Sequence, residues 1–281
     1  MFYIPGGGFK TGGANLYEYK GSIRNLVSRG VVVVVIQYRL GMLGFFSTFT
    51  PDFPANRGMY DMIMALRWVQ EEIEHFGGDP TRVTIFGESS GGGAVSALSF
   101  SPLVRGLFGG YIQQSGGLLQ QIGVPNDVRG EVHSTRIKQI CNLTVDKWLD
   151  DHVPLDAIKD CLDNKTAVEL VAFDNSDTPS WCNSVDGIFL PDVPSVLARS
   201  RPPIPAMIGD TADEYAFSMP EFHEGNLTGI GPWSIRRKIT NYLGYVDNAT
   251  LDHVALLMQD WTLEHPLDVH DFVGWTVVYL R

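Results

Sequence analysis

No run of 18 or more apolar residues occurs in the chain, so nothing in it reads as a membrane-spanning helix. Basic residues are scarce: 21 Lys and Arg stand against 32 Asp and Glu, a net charge of -11. Binding to a phosphate backbone needs clustered Lys and Arg, so this balance argues against a nucleic-acid partner. Metal-site patterns are missing too, with no H-E-x-x-H and no zinc-type spacing of Cys and His. Cysteine is sparse. Three in 281 residues fit one disulfide plus a leftover thiol, or a thiol whose partner lies elsewhere. The 44% hydrophobic and 19% charged content is that of a globular chain, neither disordered nor fibrous.

The chain opens inside an apolar run, Met1-Phe2-Tyr3-Ile4, and closes in another, Trp275-Thr276-Val277-Val278-Tyr279-Leu280. Domains usually end in polar tails, so the expectation is a piece of a longer protein, truncated at both ends. Such a piece carries no information about a signal peptide. Four glycosylation sequons begin at Asn142, Asn164, Asn226 and Asn248, more than chance gives, and point to the secretory pathway and an extracellular destination.

Residues 31–36 (Val-Val-Val-Val-Val-Ile) are β-branched without alternation, which predicts a strand buried on both faces of a parallel sheet. Residues 60–76 have helical spacing, with Ile63, Leu66, Trp68, Val69 and Ile73 expected on one broad apolar face and Glu71, Glu72 and Glu74 toward water. Gly77-Gly78-Asp79-Pro80 supplies the stop. A short strand over Val83–Phe86 follows, and then a helix opened by the small residues Gly92, Gly93, Ala94 and Ala97. Two more strands are expected at Tyr111–Gln113 and Pro205–Ile208. This alternation predicts an α/β fold with a mostly parallel sheet. Residues 118–200 break the rhythm and read as an insertion or cap-like region of one domain spanning 1–281.

Gly87-Glu88-Ser89-Ser90-Gly91 carries the chemistry. G-x-S-x-G alone is a weak signal, but here it stands directly after a predicted strand and before a glycine-rich helix start, the setting of a nucleophile elbow. The helix start offers backbone N–H groups and a positive dipole end to a developing oxyanion. A second loop, Gly6-Gly7-Gly8-Phe9, follows the first strand, where hydrolases of this kind place further oxyanion donors.

Longer stretches carry a resemblance. They are Tyr38-Arg39-Leu40-Gly41, Asn56-Arg57-Gly58 leading to Asp61, Ala65-Leu66-Arg67-Trp68-Val69, the segment from Phe76 to Ser89, and Gln114-Ser115-Gly116. Together they make the chain similar to the type-B carboxylesterases, the family that includes the cholinesterases. The resemblance implies an α/β-hydrolase, a mostly parallel central sheet with helices on both faces, here incomplete at both ends. It implies Ser89 as nucleophile, the N–H groups of Gly7, Gly8 and Ser90 as oxyanion hole, and Ser115 as a serine that helps orient the triad acid. Alanine is the family's usual residue at the place of Ser90, and histidine is common at that of Pro5. Glu214, in Gly209-Asp210-Thr211-Ala212-Asp213-Glu214, is implied as the acid, with Tyr215 replacing the usual glycine. Cys141 and Cys161 are implied to form a disulfide, which leaves Cys182 without an assigned partner.

The family's catalytic histidine stands in a Gly-x-x-His context downstream of the acid. Of His223, His253, His265 and His270, none has glycine three positions earlier, and none is assigned to the triad. The implied function is a serine carboxylic-ester hydrolase that forms an acyl-enzyme on a small-molecule ester, needs no cofactor, and is inactive as this stretch alone. A hydrolase of the same fold with another bond preference, such as thioesters, is one rival. The other is a non-catalytic, cholinesterase-like adhesion or recognition protein, against which the retained Ser89, Glu214 and glycine loop count.

Overall fold

In the computed structural model the described residues are 1–117, 126–145, 154–174 and 181–211. Among them, five parallel strands form one sheet in the order β2-β1-β3-β4-β5, with β1 at Phe2–Ile4, β2 at Val34–Val35, β3 at Thr84–Glu88, β4 at Gly110–Gln114 and β5 at Ala206–Gly209. Helices connect them: α1 (Tyr19–Asn25), α2 (Gly41–Phe45), α3 (Arg57–Glu72) and α4 (Ser90–Phe100) before β4, then α5 (Asn126–Cys141), α6 (Leu155–Asp163), α7 (Ala167–Val171) and α8 (Pro194–Leu197) before β5.

The order follows from burial. Phe2 and Ile4 of β1 and Ile85 of β3 are fully buried, as parallel strands covered by helices require. Residues 31–36 depart from the expectation. Only Val34 and Val35 pair, with β1 on one side, and residues 31–35 are half-buried, Ile36 alone being buried. Among the described strands β2 is an edge, which leaves one side of its backbone without a neighbour.

Helix α3 buries Met59, Met62, Ile63, Leu66 and Val69, and Ile73 is buried just beyond its end. Trp68 does not join them. It is 44% exposed and pairs with Phe76 at the surface, ring centroids 5.7 Å apart. Two residues past Leu66 means about 200° around a helix, so the two side chains cannot share a face. Gly77 ends the segment at φ 77, with its N–H donated to the Glu74 carbonyl and that of Gly78 to Ile73. Helix α4 is buried from Ser90 to Ser99 and packs along β3, β4 and β1.

Between β4 and β5 the described residues form α5 to α8 and irregular stretches such as 181–193, tied back by polar groups as well as by apolar contact. Cys141 and Cys161 form the implied disulfide between α5 and α6, while Cys182 remains a half-buried thiol. Asp174 is a hub: its carboxylate accepts from the Met42 N–H (2.9 Å), Trp181 Nε1 (2.7 Å) and Arg136 Nε (3.3 Å). Both members of the Arg136–Asp174 pair are almost fully buried, and the guanidinium also lies 5.6 Å from the Trp181 ring centre. Nearby, Asn56 stands at φ 62, donates from Nδ2 to the Ser184 carbonyl and Asp186, and accepts the Ser184 N–H. Burial, reinforced by the Asp186 charge, pushes the Tyr60 phenol beside this junction up to about 12. Among the described residues no helix is long and apolar enough to cross a membrane.

Removing one partner of a buried ion pair strands the other charge. Asp174→Ala is therefore expected to lower unfolding free energy by about 3–5 kcal/mol, measured by urea denaturation of the whole chain. A loss below about 1 kcal/mol, typical of an exposed pair, would show that this junction does not hold the segment.

Candidate active site

The sheet order decides what meets at its carboxyl end. Strand β3 is central, flanked by β1 and β4, so the loops after three strands converge there: residues 5–13 after β1, Ser89 after β3, and Ser115 after β4.

Ser89 links β3 to α4 with φ 56 and ψ -127, backbone geometry that side-chain-bearing residues rarely adopt. Holding it there costs about 1–3 kcal/mol, which the surrounding packing must offset. The Ser89 N–H donates to the Gln114 carbonyl (2.9 Å), and its own carbonyl accepts the first bond of α4, from Gly93 (3.0 Å). The turn is tight enough that a methyl group on Gly91 would press into the Ile4 carbonyl, and one on Gly87 would meet the Gly91 carbonyl. The G-x-S-x-G spacing is thus a packing requirement, with the strand and helix crossing at the two glycines. Ser89 remains half-exposed, so its hydroxyl can meet a ligand. Beyond it, the N–H groups of Ser90, Gly91 and Gly92 begin the helix without intrahelical acceptors and point the dipole's positive end at the turn.

The glycine loop lies against this elbow. A methyl on Gly6 would strike the Glu88 carbonyl and approach the Ser89 Cβ at 3.2 Å. Gly7 and Gly8 adopt φ 124 and φ 64, and their N–H groups have no acceptor among the described residues. Pro5, which lacks an N–H, is buried and uses its carbonyl instead, accepting from the Tyr38 hydroxyl (2.6 Å). At the far side of the loop, Phe9 sits at φ 56 with its ring stacked on Phe45 (4.5 Å), and its N–H donates to Ser90 Oγ (3.3 Å).

The Tyr38 phenol lies close to the Ser90 hydroxyl, and burial pushes its ionisation well above its ordinary range. Tyr38 therefore keeps its proton for the Pro5 carbonyl. The two ends of the glycine loop are thus each held by a side chain outside it, Phe9 through its N–H on Ser90 and Pro5 through its carbonyl on Tyr38. Sequence reasoning had Ser90 only as a backbone donor and Tyr38 only as part of a motif. The one available signal was a serine where the resembled family has alanine.

Ser115 also has positive φ (45), and its N–H donates to the Gly209 carbonyl (2.8 Å). It thereby joins the β4 loop to the end of β5, from which Asp210 and Thr211 lead on. Glu214 and the histidines at 223, 253, 265 and 270 lie outside the described residues. Of the described histidines, His75 pairs with Glu72 at the surface (3.2 Å), and buried His133 accepts the Ser47 N–H at Nδ1 (3.3 Å). Among the described residues no cluster of side chains could hold a metal ion.

Ser90→Ala removes the acceptor of the Phe9 N–H and Tyr38→Phe the donor to the Pro5 carbonyl, and each is expected to lower stability by about 1 kcal/mol. Because both bonds hold the same loop, the double variant should lose less than the sum, by about 0.5 kcal/mol or more. Strict additivity in denaturant unfolding would show that the two hydroxyls act independently.

A model of the carboxylesterase family matches residues 1–252. Over 244 residues the chain is 41% identical to the pyrethroid hydrolase Ces2e of Rattus norvegicus, covering 86% of this chain and 41% of that protein. It is 41% identical over 225 residues to the cocaine esterase of Homo sapiens (79% and 38%), and 41% identical over 258 residues to carboxylesterase 5A of Canis lupus familiaris (91% and 43%). The chain thus spans about two fifths of the length of the curated relatives it matches. With a parallel sheet, a serine elbow at its centre and this extent of match, the chain belongs to the carboxylesterase family and has the α/β-hydrolase fold.

Proposed function

We propose that this chain carries the nucleophile and oxyanion hole of a serine hydrolase acting on small-molecule carboxylic esters. The observation that carries the reading is the backbone of Ser89, held in a strained turn between β3 and α4 beside the glycine loop. The relatives named as esterases and hydrolases support it.

Ser89 Oγ attacks the ester carbonyl while a histidine base takes its proton. Negative charge develops on the former carbonyl oxygen, and the N–H groups of Gly7, Gly8 and Ser90 receive it. Collapse expels the alcohol, which takes the proton back from the histidine. Water then repeats the sequence on the acyl-enzyme and releases the acid. Glu214 orients the histidine and stabilises its charged form, and Ser115, fixed to the end of β5, helps place the loop bearing Glu214. Residues 1–281 belong to one catalytic domain, with 118–200 as its cap-like region. The rival adhesion reading has no observation in its favour, because the nucleophile and glycine loop are retained.

The same reading places the protein in the secretory pathway as a glycoprotein. Asn142 and Asn164 are both exposed, and the Cys141–Cys161 disulfide suits an oxidising compartment. Asn226 and Asn248 lie outside the described residues.

Residues 1–281 alone are proposed not to turn over esters, since no histidine after Glu214 has the expected context and a serine without its base is a weak nucleophile. Two measurements separate the parts of this reading. The chain itself should hydrolyse p-nitrophenyl butyrate no faster than its Ser89→Ala variant. Residues 1–211 grafted into a full-length carboxylesterase should give an active chimera that a fluorophosphonate labels at Ser89, and Ser89→Ala in it should cut kcat by about 10⁴-fold or more. A folded chimera that is unlabelled and inert would sink the esterase reading.

A further inference from the structure

The far end of α4 borders a second cavity. With about 1.5 Å of rise per residue, the helix separates Ser90 from Phe100 by roughly 15 Å. The cavity lies toward the amino ends of β4 and β5, whereas Ser89 stands at the carboxyl end of β3. Its volume is about 450 Å³, within the range of small-molecule sites. Its accessible walls include Phe100, Phe108, Leu197 and Ile204, and two arginines, Arg105 and Arg201, also face it.

Arg201 is held by neutral groups. Its Nη1 donates to Ser99 Oγ (2.8 Å) and to the Tyr111 hydroxyl (3.3 Å), and its guanidinium carbon lies 4.6 Å from the Phe100 ring centre and 5.8 Å from that of Tyr111. Ser99 is itself fixed, its hydroxyl donating to the Ser96 carbonyl (2.7 Å). A guanidinium has five N–H donors, so those on Nε and Nη2 remain without an acceptor among the described residues. Neither Arg201 nor Arg105 pairs with a described carboxylate, in a chain where 32 acidic residues outnumber 21 basic ones. A pre-positioned fork of this kind matches a carboxylate in a bidentate pair, and the apolar walls match an alkyl chain.

We propose that this cavity is a binding site for a medium-chain monocarboxylate, its head on Arg201 and Arg105 and its tail against Phe108, Leu197 and Ile204. The site is separate from Ser89, so the proposal stands or falls independently of the esterase reading.

Isothermal titration of the whole chain with octanoate tests it, with 1-octanol as the uncharged probe of equal length. Octanoate should saturate a single site, and octanol should bind at least about tenfold more weakly, the value of a charged hydrogen bond. Arg201→Met and Arg105→Gln should each weaken octanoate about tenfold. Arg105 is exposed, so its variant reports on binding even if Arg201→Met fails to fold. Ser89→Ala should bind octanoate as the parent does. No saturable binding, equal binding of octanol, unchanged affinity in Arg105→Gln, or loss of binding in Ser89→Ala would each overturn the proposal.

Discussion

The backbone of Ser89 is the constraint on which the rest of the site depends. A side-chain-bearing residue at φ 56 and ψ -127 is held there only because both sides of the turn are locked. On one side β3 is paired with β1 and β4, and on the other α4 is buried along nearly its whole length against those strands. Glycine at 87 and 91 lets the two elements cross closely, and Gly6 lets the neighbouring loop reach the same point. The strain and the close packing are one feature: relaxing the turn would require the helix to lift from the sheet.

The second organising element is the pair of hydrogen bonds that fix the two ends of the glycine loop, from Phe9 to Ser90 and from Tyr38 to Pro5. Glycine triplets are flexible by composition, and an oxyanion hole needs donors that do not reorganise. Here the flexibility is removed from outside. Pro5 and Phe9 are buried, one with its carbonyl and the other with its amide committed, and the three glycines between them are spanned like a bridge. One of the two bonds ends on Ser90, so the geometry of the glycine loop is referred directly to the residue next to the proposed nucleophile.

The segment between β4 and β5 is fastened by different means. Arg136, Asp174 and Trp181 bring α5, the stretch after α7 and residues near 181 onto the start of α2, and Asn56 joins Ser184 and Asp186 to the start of α3. A disulfide closing a 20-residue separation adds a constraint on the unfolded chain, on the order of 3 kcal/mol by chain entropy. Buried charge and covalent linkage here add to the apolar packing of Ile137, Ile158, Leu162 and Phe189.

Much of this was legible from the sequence by itself. The strands at β1, β3, β4 and β5, the helix before β3, the stop at Gly77 and the serine elbow all follow from local rules: apolar run length, helical period, glycine placement and the spacing of G-x-S-x-G. The Cys141–Cys161 pair was implied by resemblance and is present. Tertiary structure decided what local rules cannot reach. It put Val34 and Val35 beside β1 at one side of the described sheet, because strand order is a property of the whole sheet and not of one segment. It also gave Ser90 and Tyr38 their shared role, because residues 5, 9, 38 and 90 are neighbours only when β1 and β3 lie side by side.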